Sequence, residues 1–363
     1  MRIFERLVCK QEVSSALNSQ IRSDQFAYKQ CHNTTMALLK CQHYWLNWLD
    51  TDVDFVRVFS FDFSKAFDSV SHEIVCRKLK CYDINPYVIN WIVSFLGNRK
   101  KGGGGWSVNE VCRDRQRCSS NDIIPVNPSK ILLVKYADDI TLSISQRHNS
   151  ADLSSVEVQN IKNWSKENRM TLNLSKTWEM VVRGRTKKPI PEPEPDISRK
   201  EELKLLGVTF NEQPCNWDTH FEQMISKASS RLYILRVCKF YGYTMQKLTL
   251  LFDSLIMSLF YYTIEVWACA YDSKYLLQVD RFCKRAARYE YTTSYTPIAK
   301  IIRDRDVKLW ERITSDDNHC LSCMLPKRKT RSLRKRGHDF ILPQVKTERF
   351  KRCFVNRCLF NLI

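Results

Sequence analysis

ILLVKYADDITLSI, residues 131–144, is the stretch whose reading decides the fold. Apolar residues flank an acidic pair, Asp138 and Asp139, on both sides. The pattern predicts two short strands with the pair at the turn between them. Adjacent carboxylates at a hairpin tip repel each other, and a divalent cation would neutralise them. A second acidic strand lies upstream in FVRVFSFDFSKAFDSVSH (55–72), where Val56, Val58 and the phenylalanines give strand character and Asp62 stands near the end. Asp62, Asp138 and Asp139 are therefore a candidate set for two Mg²⁺ (or Mn²⁺) ions serving nucleotidyl transfer; the alternative for Asp62 is a strand-end cap.

The 363 residues suffice for two or three domains, and 44% hydrophobic content makes the chain globular rather than disordered. Lys and Arg exceed Asp and Glu by 58 to 39, a net charge of +19 that suits a phosphate-backbone partner. The 15 cysteines are scattered without secreted-domain spacing, and MRIFERLVCKQEV has no apolar signal core. Reduced thiols in an intracellular compartment, nucleus or cytoplasm, are expected. His319, Cys320 and Cys323 lie close together without a suitably spaced fourth ligand. The most apolar stretch, Leu248 to Trp267, carries Asp253 and Glu265, so it reads as a buried helix and no membrane partner is expected.

FDFSKAFDSVSH (61–72) and YADD (136–139) resemble motifs A and C of reverse transcriptases, specifically those of non-LTR (LINE-type, jockey-like) retrotransposons. DQFAYKQCHNTTMALL (24–39) resembles the segment before motif A, WSKENRMTLNLSKT (164–177) motif D, and LKLLGVTF (203–210) motif E. ASSRLYILRVCKFYG (228–242) and YYTIEVW (261–267) resemble the thumb region of these elements. The resemblance spans nearly the whole chain in the family's order. It implies an α+β right-hand polymerase: a palm of antiparallel strands with packed helices, truncated fingers and a helical thumb. By segment this gives a fingers remnant at 1–54, the palm at 55–182, a Pro-rich linker at 183–200, motif E at 201–216, and the thumb with a basic C-terminal region at 217–363.

The implied reaction is RNA-templated DNA synthesis, with an RNA template, a DNA primer and dNTPs as partners. Asp62 and Asp138 would bridge both ions, with Asp139 supporting. Phe67 matches an aromatic steric gate under the sugar, or is simply a buried Phe. Lys176 matches a lysine near the triphosphate, or is a surface lysine. Gly207 stands at the turn that resembles the primer grip. Asp68 reads as a local cap or ion-pair partner.

Two departures put activity in doubt. IFERLVCKQ (3–11) resembles the last part of the fingers, and the earlier finger strands are expected to be absent. KKGGGGWSVNEVCRDRQRCSSNDI (100–123) has no hydrophobic period where motif B, a Pro-Gln-Gly turn and a helix, belongs. Gly102–Trp106 and Arg115–Ser120 have codings that, under one common base shift, read Val-Val-Val-Asp-Gly and Asp-Arg-Gly-Val-Pro-Gln. The stretch 102–120 is therefore either an out-of-frame translation or a genuine glycine-rich loop, and the latter lacks the Lys-Ser/Thr ending of a phosphate loop. An impaired polymerase and a non-catalytic nucleic-acid-binding remnant both remain open.

Apolar spacing predicts helices at 24–50, 85–96, 151–167, 217–239, 244–264, 273–290 and 295–313, and one after motif A with Phe67, Val70, Ile74 and Val75 on its apolar face. Proline at 189, 191, 193 and 195 predicts an extended surface loop. Arg231, Arg236, Lys239, Arg281, Lys284, Arg285 and Arg288 recur among aromatics, as a phosphate-tracking or a solvated basic face. PKRKTRSLRKRG (326–337) is a basic run for RNA binding, nuclear localisation or solvation.

Overall fold

The structure, a computed structural model, describes residues 7–8, 11–12, 16, 21–51, 53–64, 72–97, 121–148, 150–184, 188–270, 274–329 and 338–361. Phe67, Asp68, Val70, the glycine-rich stretch 102–120 and the basic run from 330 to 337 lie outside them. The class is α+β, as the sequence predicts. The chain divides into two compact units, one of Met1–Ala37, Val56–Val181 and Lys187–Lys200, the other of Leu38–Phe55, Val182–Thr186 and Glu201–Ile363.

The first unit is built on a five-stranded sheet. Its strands are β1 (Phe55–Phe61), β3 (Ile131–Tyr136), β4 (Asp139–Gln146), β6 (Trp178–Arg183) and β7 (Ser198–Arg199), in the order β3-β4-β1-β6-β7. A small antiparallel pair, β2 (Phe63–Ser64) with β5 (Thr171–Leu172), continues from β1. Alternation puts Phe59, Phe61 and Phe63 on one face with Ile131, Leu133, Ile140, Leu142 and Ile144. Val158, Ile161 and Trp164, three residues apart on helix Ser154–Glu167, close that core. Each such side chain contributes about 1.5–3 kcal/mol on burial.

The sheet also buries charge. Arg57 of β1 donates to Glu179 of β6 at 2.7 Å, and both side chains are buried. Arg199 donates to both Glu179 oxygens at 2.9 and 3.2 Å, and Arg57 donates onward to Asp152 and the Glu192 carbonyl. These bonds draw in the Pro-rich stretch expected as a loop. Its prolines keep residues 188–197 out of helix, and it runs back to the sheet, burying Glu194 and Ile197 and adding β7 parallel to β6.

The helix expected over 24–50 starts only at Thr34. Left-handed backbone at Tyr28 (φ 57°) and Cys31 (φ 59°) breaks the earlier turns, and the Asn33 side chain accepts the Met36 N–H, capping the helix. Ile74 of the expected helix after motif A is buried on His72–Leu79.

The second unit holds the antiparallel pair β8 (Glu202–Leu205) and β9 (Val208–Asn211), followed by helices. Helices Asp218–Phe240, Lys274–Arg288 and Ile298–Ser315 lie where the spacing predicts them. The one expected over 244–264 is interrupted: a π turn spans Asp253–Met257, and Thr263 is left-handed (φ 49°). Arg231 donates to the Leu255 carbonyl within this turn, and Ser258 to that of Ser254. No single helix among the described residues is long and apolar enough to cross a membrane. The core joins Trp217, Phe221, Trp267 and Tyr275, with Phe221 edge-on to Trp267 at 5.2 Å and stacked on Tyr275 at 4.8 Å.

Asp306 and Arg357 form a buried bidentate pair at 2.7 and 2.9 Å. Truncating one partner leaves the other charge buried and alone. Asp306→Ala is expected to cost about 3–5 kcal/mol in urea unfolding, while Asp306→Leu with Arg357→Met recovers most of that loss.

Candidate active site

The hairpin forms where the sequence puts it, but only Asp138 of the acidic pair lies in the turn, and Asp139 opens β4. β3 and β4 pair from Ile131↔Ile144 to Tyr136↔Asp139, leaving Ala137 and Asp138 as a two-residue turn. Ala137 has φ 60°, a conformation that costs an L-residue about 1–2 kcal/mol. The turn is propped from below. Buried Gln25 accepts N–H bonds from Ala27 (3.0 Å) and Ala137 (3.4 Å) through one side-chain oxygen. Its neighbours pair with the strand, Lys135 N–H to Asp24 O at 2.8 Å and Phe26 N–H to Lys135 O at 2.9 Å.

Lys135 itself is fully buried and donates to the Ile123 carbonyl at 2.9 Å, with the Asp24 carboxylate at 3.3 Å. Burial pushes its amine down to about 8, against the pull of Asp24. Asp122 accepts from Trp164 and pairs with Lys78, so Asn121–Ile123 is fastened beside the same strand.

Asp62 follows Phe61, and since Phe61 and Phe63 face the core, it faces the other side of the sheet. Asn173 holds it twice, by N–H to the Asp62 carbonyl at 2.8 Å and by side-chain amide to its carboxylate at 3.3 Å. The Asp62 charge acts on the other two acids. Asp138 is raised by burial and by Asp62. Asp139 is exposed along its flank, but surrounding protein desolvates its carboxyl and, with Asp138 and Asp62, pushes it up to about 6. No basic side chain among the described residues pairs with any of the three. They are not drawn into a finished metal cage: no group of three or more His, Cys, Asp or Glu among the described residues is so arranged.

Lys176 is exposed at the end of the single turn Leu174–Lys176, which bonds back to Asn173. Gly207 lies in the second unit. With Leu206 (φ 45°) it makes the two-residue turn of β8 and β9, at φ 85°, the paired positive values of a tight hairpin. A Cβ at Gly207 would stand 3.2 Å from the Tyr262 ring, whose hydroxyl donates to the Leu206 carbonyl at 2.7 Å. Beside this turn a cavity of about 360 Å³ is lined by Lys204, His220, Gln223, Lys227, Arg231 and Tyr262. Burial, then Lys227 and Lys204, push His220 down to about 4, so it is neutral there at physiological pH. His319 accepts the Leu321 N–H through its ring nitrogen.

Gln25, Lys135 and Asn173 do not stand out in the sequence as site residues. The only sequence signal for the first was DQF, which apolar spacing absorbed into a helix.

No protein-family model and no curated protein matches the sequence. Among solved structures the chain is similar to telomerase from Candida tropicalis in complex with a TWJ fragment of telomeric RNA, at 10% identity and TM-score 0.42, over 78% of this chain and 47% of that one. It is also similar to telomerase from Candida albicans in complex with such a fragment, at 11% identity and TM-score 0.40, over 83% and 55% respectively. The chain thus spans about half the length of the telomerase chains it matches.

The raised Asp139 carboxyl sets a sign. Its folded value lies above the ordinary 3.8, so between about 4 and 6 the folded state holds more protons than the unfolded one, and stability falls as pH rises through that window. Metal-free protein is expected to melt at lower temperature at pH 7 than at pH 5 through this group, and Asp139→Asn flattens that part of the profile in calorimetry. Gln25→Ala is expected to cost about 1–3 kcal/mol in urea unfolding, and Ala137→Gly little or nothing, since glycine accepts the turn.

Proposed function

We propose that this chain is a reverse-transcriptase-like protein of a mobile element, of the non-LTR retrotransposon kind, built for RNA-templated DNA synthesis and impaired in this copy. The observation that carries the reading is the mutual charge of Asp62, Asp138 and Asp139, which no basic side chain among the described residues offsets. Three carboxylates are hard oxygen donors and fit divalent ions such as Mg²⁺ or Mn²⁺. Asp62 and Asp138 would hold two such ions, with Asp139 supporting. When bound, they would supply activation of a primer 3′-hydroxyl and neutralisation of pyrophosphate.

The chain's own groups have definite parts in this scheme. Asn173 orients the Asp62 carboxylate, and Gln25 and Lys135 hold the hairpin tip in register. Lys176 would give a proton to the leaving pyrophosphate, Phe67 would screen the sugar, and the Gly207 turn would seat the primer. Lys204, Lys227 and Arg231 around the cavity would meet backbone phosphates of a template–primer duplex. On this reading the first unit includes a polymerase palm, the second a thumb, and the place of action is the nucleus or cytoplasm.

A second reading, a non-catalytic remnant that binds nucleic acid, is favoured by 100–123, which carries no trace of motif B before Asn121. Primer extension on an RNA template with Mg²⁺ or Mn²⁺ separates the two. Under the first reading Asp138→Asn lowers dNTP incorporation at least about a thousandfold and leaves salt-sensitive RNA–DNA binding within about twofold. Wild-type protein that binds the duplex but extends no primer establishes the second reading.

A further inference from the structure

The helix Asp218–Phe240 ends in rings that face water. Phe240 is 84% and Tyr241 75% exposed, Gly242 turns the chain at φ 80°, and Tyr243 follows at 46%. Lys239 ties this end to the end of helix Lys274–Arg288, donating to the Tyr289 carbonyl at 2.9 Å and to the Glu290 carboxylate at 2.8 Å. Tyr289 there is 56% exposed and lies 6.3 Å from the Tyr291 ring. Lys239 therefore joins two ring pairs, Phe240 with Tyr241 (5.5 Å) and Tyr289 with Tyr291, at the two helix ends.

Cations frame it. Residues 236–247 and 284–291 hold Arg236, Lys239, Lys247, Lys284, Arg285 and Arg288 against a single acid, Glu290. The Lys239 and Lys247 ammonium groups each stand 5.8 Å from a ring centre, of Tyr291 and Tyr243. Exposed rings in such number call for a partner. A basic frame attracts a polyanion and repels a basic partner, and planar faces accept planar bases. Bases within a duplex are already stacked on one another, so only an unpaired strand offers them.

We propose that the joined helix ends form a stacking platform for single-stranded nucleic acid, with Phe240 and Tyr241 against bases and the surrounding Lys and Arg on phosphates. The platform belongs to the second unit and the acidic hairpin to the first, and the proposal does not depend on whether the hairpin supports catalysis.

Fluorescence anisotropy of the full chain with a labelled oligothymidylate of about 12 nucleotides tests it, beside an RNA–DNA duplex of equal length. Phe240→Ala with Tyr241→Ala is expected to weaken single-strand binding at least about tenfold, with duplex affinity within about twofold and an unchanged salt slope. Phe240→Leu with Tyr241→Leu keeps apolar bulk without a π face and is expected to lose binding equally. A 2-aminopurine base in the strand is expected to be quenched by wild type alone. Both variants should melt as wild type, because the replaced rings are exposed. Single-strand binding that survives both substitutions, or that leucine restores, overturns the proposal. So does a parallel loss of single-strand and duplex binding. Unchanged oligonucleotide binding with lost self-association in sedimentation also overturns it, and makes the patch a protein interface.

Discussion

A lysine with no contact with water fixes the site. Lys135 lies one residue before Tyr136 in the strand that ends in the acidic turn, and its ammonium reaches the Ile123 carbonyl and Asp24. Burying a cation is costly unless it is paired and hydrogen-bonded, so those three segments are held together by the need to satisfy one charge. Backbone bonds on both sides of Lys135 complete the arrangement, and Gln25 then falls beneath Ala137, where it steadies a strained turn. The left-handed residue at the tip is tolerated because what surrounds it leaves no other choice.

Electrostatics divide the chain unevenly. A protein of net charge +19 sets two carboxylates on one hairpin within the field of a third, Asp62, and pairs none of them with a basic side chain among the described residues. Buried acids elsewhere are matched closely: Glu179 takes two arginines, Asp306 takes Arg357, and Glu157 accepts the Val126 and Asn127 N–H groups. The unmatched cluster departs from that pattern, and its raised carboxyls express the cost.

Much of this could be read from residue order. The hairpin, β1 and the later helices follow from period-two and period-three-to-four spacing of apolar residues, which is how Phe59, Phe61 and Phe63 came to be set against Val158 and Ile161. Sequence spacing failed where polar side chains decide the backbone. Residues 24–33 have helical spacing, yet left-handed Tyr28 and Cys31 let Gln25 run beside Lys135. The π turn at Asp253–Met257 is invisible to periodicity, and a carbonyl within it is met by Arg231, a residue over twenty positions away. The same holds for Asn173, whose bond to Asp62 crosses 111 positions.

The division into two units has a topological consequence. The chain passes from one unit to the other after Ala37, Phe55, Val181, Thr186 and Lys200, so neither unit is a continuous stretch. Cutting the backbone after Lys200 would leave 38–55 on the N-terminal fragment while its packing partners stay on the other. Trp45 meets Phe210 at 5.3 Å, and the Asp50 carboxylate accepts from Thr347 and Lys346. A proteolytic nick there would yield two noncovalently bound pieces that migrate together until denatured. Cloning residues 201–363 alone would strip the second unit of a helix it needs.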